Sequence, residues 1–279
     1  MAVLEKADFA TLTHVQDAAQ QRLFPTEELV LPSDAAERGL RKAVVAIHSA
    51  PLNKNHSINT RKLFDALILL VQLDFKNRTK EQIKRIRDER ISPVFETRTG
   101  ELMRIAGIPG NNHTRVHADL NVLFEMVFRW NLMGEREPLL TAKDPTTEPA
   151  VPAEGGQSGE KDEVVIFDMK SRFLSSLGFG KGPKKGLIRF EVQHDILQLV
   201  LEPRIWATLS FQVIHTLGSA AAIGLYENAW RYVNTKHKIT APMPVETWIE
   251  LISGRGKYVR VDERTGDKTV NYGEWKRSV

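Results

Sequence analysis

Residues 209–233, LSFQVIHTLGSAAAIGLYENAWRYV, are the most informative part of this sequence. After Ser219, apolar residues return every three or four positions, which is the period of one helix face. That face comprises Ala222, Leu225, Tyr226, Ala229, Trp230 and Val233. The hydroxyl of Ser219 is placed to cap a free backbone N–H at the start of the helix. We therefore predict a core helix that buries its two large aromatic side chains.

Composition and charge narrow the classes of protein that this chain can belong to. Its 279 residues are 42% hydrophobic and 27% charged, which suits one or two soluble domains. Residues 1–162 carry 22 Lys+Arg against 23 Asp+Glu, whereas residues 163–279 carry a net charge of +5, which suits a polyanionic partner. The sequence has no cysteine, so disulfides and thiolate sites are excluded. No apolar run approaches the ~20 residues of a membrane span, and no secretory signal is present, so we expect a cytoplasmic protein with no membrane partner.

A helix-turn-helix pattern lies in the first half of the chain. Thr99 to Ala106 reads as a short helix, and Gly107 stands where a left-handed helix cap is needed. Asn111 or Asn112 can cap the next helix. That second helix has an apolar stripe formed by Val116, Leu120, Leu123, Phe124 and Val127. Two helices joined by a short glycine-containing turn are typical of a helix-turn-helix unit.

The first turns of the second helix carry residue types that suit a DNA groove. Asparagine can hydrogen-bond an adenine edge, arginine a guanine edge, and a helix N-terminus favours a phosphate. The candidate DNA-binding residues here are Asn111, Asn112, His113, Thr114, Arg115 and His117. The alternative is a pair of helices with a polar, solvated face, because helix hairpins are common.

The chain after this unit is expected to form a wing. Phe128 to Leu132 alternates like a strand, as a wing strand should. Residues 134–162 are rich in Pro, Gly and acidic residues, which predicts a disordered segment. If Phe128–Leu132 pairs with Val164–Met169, this segment is an insertion within the wing; otherwise it is an interdomain linker, and the family resemblance given below favours the insertion. The Gly-rich turn 177–186 carries Lys181, Lys184 and Lys185. These lysines either contact a nucleic-acid backbone or form ordinary solvated surface.

Other chemistries are poorly supported. His113 and His117 have a spacing that can hold a metal, but Thr114 stands where a metalloprotease motif needs Glu, and no nearby carboxylate completes a site. The glycines of 177–186 do not have the spacing of a phosphate-binding loop. We therefore expect no catalytic residues, no metal and no cofactor, and we do not expect an enzyme.

Several segments together resemble a known family. They are Ser219 followed by Leu225-Tyr226-Glu227, the helix 245–252 (VETWIELI), and the C-terminal NYGEWKRSV of residues 271–279. These resemble the iteron-binding replication initiators of theta-replicating bacterial plasmids, over residues 38–132 and 163–279. The second DNA-reading helix of that family is matched in this chain by Tyr272, Trp275, Lys276 and Arg277. The family pattern continues beyond Val279, so we expect this chain to be a fragment whose second module is C-terminally incomplete.

The resemblance implies an α+β fold with tandem winged-helix domains, each a helix-turn-helix with small antiparallel β wings. The expected organisation is an N-terminal arm (1–37), a first domain (38–202) and a second domain (203–279). It also implies binding to direct repeats of duplex DNA at an origin, origin opening, contact with the host initiator and helicase, and homodimers. Phosphates would be neutralised by Lys181, Lys184, Lys185, Arg255 and Lys257. The alternatives are a winged-helix transcriptional regulator with no initiation role and, from another class, a nuclease or relaxase.

Overall fold

A computed structural model describes most of the chain. The described residues are 39–52, 56–131, 169–201, 203, 205–233, 243–254, 258–262, 264–265 and 267–276. The predicted N-terminal arm and the predicted insertion at 134–162 lie outside these residues. So do three candidate DNA-binding residues, Arg255, Lys257 and Arg277.

Helices and short strands alternate along the described chain. The helices are α1 (Val44–Ile47), α2 (Ile58–Lys76), α3 (Lys80–Asp88), α4 (Thr99–Ala106), α5 (His113–Glu125), α6 (His194–Leu201), α7 (Phe211–Thr216), α8 (Ala220–Trp230), α9 (Val245–Ser253) and α10 (Tyr272–Lys276). The strands are β1 (Leu40–Ala43), β2 (Ala50–Pro51), β3 (Val94–Arg98), β4 (Val127–Arg129), β5 (Lys170–Arg172), β6 (Leu174–Phe179), β7 (Leu187–Val192), β8 (Trp206–Leu209), β9 (Val259–Val261) and β10 (Lys268–Val270). All their pairings are antiparallel, so the expected α+β class with small antiparallel sheets is confirmed.

Helix α2 lies at the centre of the main core. It begins at a capping box in which the Ser57 hydroxyl accepts from the Thr60 N–H and the Thr60 hydroxyl accepts from the Ser57 N–H. The sequence predicts one apolar stripe, but residues 62–71 are all buried. A helix that is buried all round has neighbours on every side. Those neighbours include α4, α5, α6 and α8, so α2 fixes their relative positions.

A three-stranded sheet has the order β3–β7–β6. In its register, Phe95 lies opposite Phe190, and the two rings stack with centroids 5.3 Å apart. Alternate residues of β7 are buried, as in a strand with one face on the core. The apolar run of residues 186–201 has the composition of one long strand, but it divides into the strand β7 and the helix α6. The Gly-rich segment is the end of β6 and the connection to β7.

A second sheet has the order β2–β4–β5 and contains the strands that flank the predicted insertion. Phe128 pairs with Ser171, and the Trp130 N–H donates to the Met169 carbonyl. Pairing across the insertion is thus confirmed, but the described ladder lies later in the chain than the predicted 164–169. This sheet also does not form the lysine-bearing hairpin, which belongs to β6 and β7.

The buried face of α8 is the opposite of the predicted one. Ile223, Gly224, Glu227 and Asn228 are buried, whereas Leu225 and Trp230 are 47% and 41% exposed. The reason is a buried ionic cluster. Glu227 accepts from Lys42 Nζ at 2.8 Å and from Arg61 Nη2 at 2.7 Å, and Lys42 also donates to Asp65 at 2.7 Å. A carboxylate that pairs with two buried cations is stable inside, so the polar face of α8 turns inward.

The described apolar residues form two clusters. The first contains residues from Leu40 to Ile223, so it includes side chains on both sides of residue 203. The second is small and consists of Ile249, Tyr258 and Val259, with Val270 and Trp275 packed against it. The domain boundary near 203 stays a prediction. Among the described residues, no helix has the length and apolar character that a membrane crossing needs.

Candidate nucleic-acid interface

The turn between α4 and α5 begins at the left-handed glycine cap that the sequence predicts. Gly107 ends α4 in the left-handed conformation, with φ 61° and ψ 36°. A second constraint was not visible in the sequence. The ring of His215, on α7, covers this glycine, so an added Cβ would lie 2.2 Å from it. His215 also hydrogen-bonds the Ile105 carbonyl at 2.8 Å, and thus α7 holds the turn in place.

The start of α5 exposes most of the predicted reading residues. Asn112 is the N-cap, and its Oδ1 accepts from the Arg115 N–H at 2.9 Å. The Asn112 side-chain oxygen is therefore occupied within the protein. The exposed residues in this segment are Asn111, Asn112, His113, Thr114 and Arg115. An exposed helix start is a suitable site for a phosphate or a base edge, because the helix dipole favours negative charge there.

His117 connects α5 to other elements. Its ring stacks on Phe179 of β6 with centroids 4.3 Å apart, and its Nε2 lies 3.1 Å from Thr99 Oγ1. Thr99 donates its single hydroxyl proton to the Gly186 carbonyl, so Nε2 of His117 carries the proton and donates to Thr99. Burial, and then the nearby His113, lower the pKa of His117. The ring is therefore a neutral contact between α5 and the β6–β7 hairpin.

The β6–β7 hairpin presents the predicted lysines. Residues 182–184 form a short 3-10 turn, and Lys181, Lys184 and Lys185 are all exposed. Thr99 fixes the base of this hairpin, because its N–H and its hydroxyl both donate to the Gly186 carbonyl. The hairpin and α5 are thus held together through Thr99 and the His117–Phe179 stack. A cationic hairpin beside an exposed helix start forms one surface.

Sequence reasoning missed part of this surface. The outward face of α5 continues past His117 with Ala118, Asn121 and Glu125, which are exposed at helical spacing. Lys170 and Arg172, on β5, are also exposed, and the Arg172 guanidinium lies 5.6 Å from the Phe124 ring centroid. The helical period could have identified Asn121. Nothing in the sequence placed β5 beside α5.

The predicted second reading unit is only partly described. Tyr272 and Lys276, on α10, are exposed, and the Tyr272 hydroxyl donates to Glu246 at 3.4 Å. Trp275 packs against the second apolar cluster, which makes it a structural contact of α10. Lys268 Nζ lies 3.2 Å from Glu250 and joins the β9–β10 hairpin to α9. Among the described residues, α9 of this unit packs on α8 and on β2.

The described residues contain no group of three or more His, Asp or Glu that could hold a metal ion. No protein-family model matches this chain, and no curated protein is detectably similar to it.

Proposed function

We propose that this protein binds duplex DNA through the start of α5 and the β6–β7 hairpin. The observation that carries the proposal is the attachment of a lysine-bearing hairpin to an exposed helix-turn-helix through Thr99 and His117. The major groove admits an α-helix, and nearby lysines neutralise phosphates. A winged-helix assignment is supported by α4 and α5 lying in the chain between the strands of the antiparallel sheet β3–β7–β6.

We further propose that the protein is an iteron-binding plasmid replication initiator. The support is the resemblance of the LYE and YGEWKRSV segments, together with the place of Glu227 in the structure. Glu227 pairs with Lys42 and Arg61, and this gives the LYE segment a physical role in the core. In this proposal α9, the β9–β10 hairpin and α10 belong to a second DNA-reading unit.

Duplexes that carry the direct repeats beside the gene of this protein test the proposal, with shuffled duplexes as the reference across a salt series. The triple variant K181A/K184A/K185A should bind both duplexes more weakly. It should also flatten the dependence of log K on log salt by up to ~0.9 for each lost phosphate contact. Preference for the repeats should remain, because phosphate contacts carry no sequence information.

A matched control removes three exposed lysines elsewhere, in the variant K76A/K80A/K84A. These residues lie at the far end of the 19-residue helix α2 and on α3. Lys76 is about 28 Å along α2 from the end that contacts α5. Equal effects of the two triple variants would contradict the proposed surface. Duplex opening at the repeats on supercoiled DNA, followed with a single-strand-specific reagent, separates an initiator from a regulator.

A further inference from the structure

Asp119 is a buried carboxylate on the helix that offers its other face to DNA. It is 4% exposed, and three side-chain donors surround it. Its Oδ1 accepts from Ser57 Oγ at 2.8 Å and from Thr60 Oγ1 at 3.4 Å. Its Oδ2 accepts from Arg115 Nε at 3.2 Å. Ser57 and Thr60 form the capping box of α2, so the carboxylate is fixed to the core as well as to α5.

Arg115 is held at two points and remains 60% exposed. Its backbone N–H donates to the Asn112 cap, and its Nε donates to Asp119. Within the described residues, neither terminal nitrogen of the guanidinium forms a hydrogen bond. Because the guanidinium is planar and rigid, fixing Nε restricts the plane in which both terminal nitrogens lie.

This ion pair differs from an ordinary exposed pair on a helix. An exposed ion pair between residues four positions apart contributes little to the free energy of folding, since two flexible side chains must both be ordered. Here the hydroxyls of Ser57 and Thr60 already order the carboxylate. Only Arg115 must be immobilised, and the ion pair orders it in the free protein. The entropy loss on binding DNA is therefore smaller.

We propose that Asp119 is a positioning residue that orients Arg115 to read a guanine in the major groove. The inference rests on the proposed function and adds the base that this part of α5 selects. Guanine presents two acceptors, N7 and O6, which match the two terminal nitrogens of one guanidinium. Adenine and cytosine each place an amino donor on this edge, and thymine presents one acceptor beside a methyl group.

Selection from a duplex library with a randomised stretch of about two helical turns, ~20 base pairs, tests the inference with the full chain. The wild type should enrich a site with a preferred guanine, and R115K should lose the preference at that position. This variant keeps the positive charge but not the planar guanidinium. The preference for that guanine should fall about five- to 150-fold, the range for one bidentate pair. D119N should weaken the same preference, and the double variant should be no worse than R115K alone.

Two further readouts distinguish orientation from a general structural effect. D119N and R115K should leave unchanged the salt dependence of binding to shuffled DNA and the preferences at all other positions. R104K is the matched control, because Arg104 forms an exposed ion pair with Glu101 on the neighbouring α4. R104K should keep the guanine preference.

Four results would overturn the inference. R115K could retain every base preference, or R115A could lower the salt slope by about one with specificity intact, which would mark Arg115 as a phosphate contact. D119N could weaken all positions equally while R115K loses one guanine alone, which would show that Asp119 acts through folding and does not position Arg115. If the wild type selects no sequence, the proposed function fails together with the inference. If it selects a sequence that R115K also selects, the inference alone fails.

Discussion

At the scale of single residues, His48 is a buried titratable group whose charge state affects stability. Its side chain is 1% exposed, and Arg231 Nη1 lies 3.0 Å from its Nδ1. Burial, and then the positive charge of Arg231, lower the pKa of His48 to about 3. The unfolded chain therefore binds a proton at a higher pH than the folded chain does. The contribution of the neutral ring to the free energy of unfolding is fully present above pH 6.5 and is lost as the pH falls towards 3.

We predict that His48→Asn flattens the pH dependence of unfolding. Between pH 7 and pH 5, the wild type should lose about 2 kcal/mol relative to the variant, because each pKa unit corresponds to ~1.4 kcal/mol. Urea unfolding at both pH values measures this difference. Burial and Glu227 raise the pKa of Asp65, so Asp65 makes the folded state more stable as the pH falls, which is opposite to the effect of His48. Only the comparison with the variant isolates the contribution of His48. A parallel pH dependence in the two proteins would contradict the assignment.

At the scale of elements, the crossing of α8 and α9 depends on Gly224. An added Cβ would lie 2.6 Å from the Ile252 carbonyl oxygen and 3.0 Å from Arg61 Nη1. The first of these neighbours is backbone and cannot rotate away. The two helices therefore approach more closely at Gly224 than a side chain would permit.

We predict that Gly224→Ala lowers the free energy of unfolding by about 1–3 kcal/mol, the cost of overpacking. Gly100→Ala is the control, because Gly100 lies in α4 with no atom within 4 Å of its added Cβ. It should be neutral or stabilising by up to ~1 kcal/mol, since alanine favours helix. Chemical denaturation of both variants is the measurement, and equal losses would show that crowding at α8 is not the cause.

At the scale of the whole molecule, one ionic cluster connects three distant parts of the chain. Lys42 is on β1, Arg61 and Asp65 are on α2, and Glu227 is on α8. Burial alone would raise the pKa of Glu227, but Arg61 and Lys42 together lower it, so the carboxylate is charged when folded. Removing this charge leaves Arg61 without the carboxylate that it pairs with and leaves Lys42 with Asp65 alone.

We predict that Glu227→Gln destabilises the protein by about 3–5 kcal/mol, as expected when one partner of a buried ion pair is lost. Glu89→Gln is the control, because the Arg85–Glu89 pair is about half exposed. Its effect should stay within about 0.5 kcal/mol. Thermal or urea unfolding compares the two variants, and a small loss for Glu227→Gln would mean that the cluster does not hold α8 on α2.

Local features of the candidate site were predictable because they depend on neighbours in sequence. Gly107 as a left-handed cap and Asn112 as an N-cap follow from residue type and spacing. The contacts of His117 with Thr99 and Phe179 were not predictable, because their partners lie 18 and 62 positions away. The anchoring of Asp119 by Ser57 was missed for the same reason.

The α+β class was expected from the family resemblance. By itself, the sequence determined the helices on either side of Gly107, the caps at Gly107, Asn112 and Ser219, and the basic character of the 181–185 turn. These depend on periodicity, on capping chemistry and on charge, which act over a few residues. Only the tertiary structure decided which face of α8 is buried and which strands pair with β7. Helical spacing predicted that the apolar face of α8 is buried. In the structure Lys42 and Arg61 stabilise Glu227 inside, so the opposite face is buried. The free energy of pairing buried charges depends on residues that meet only when the chain is folded.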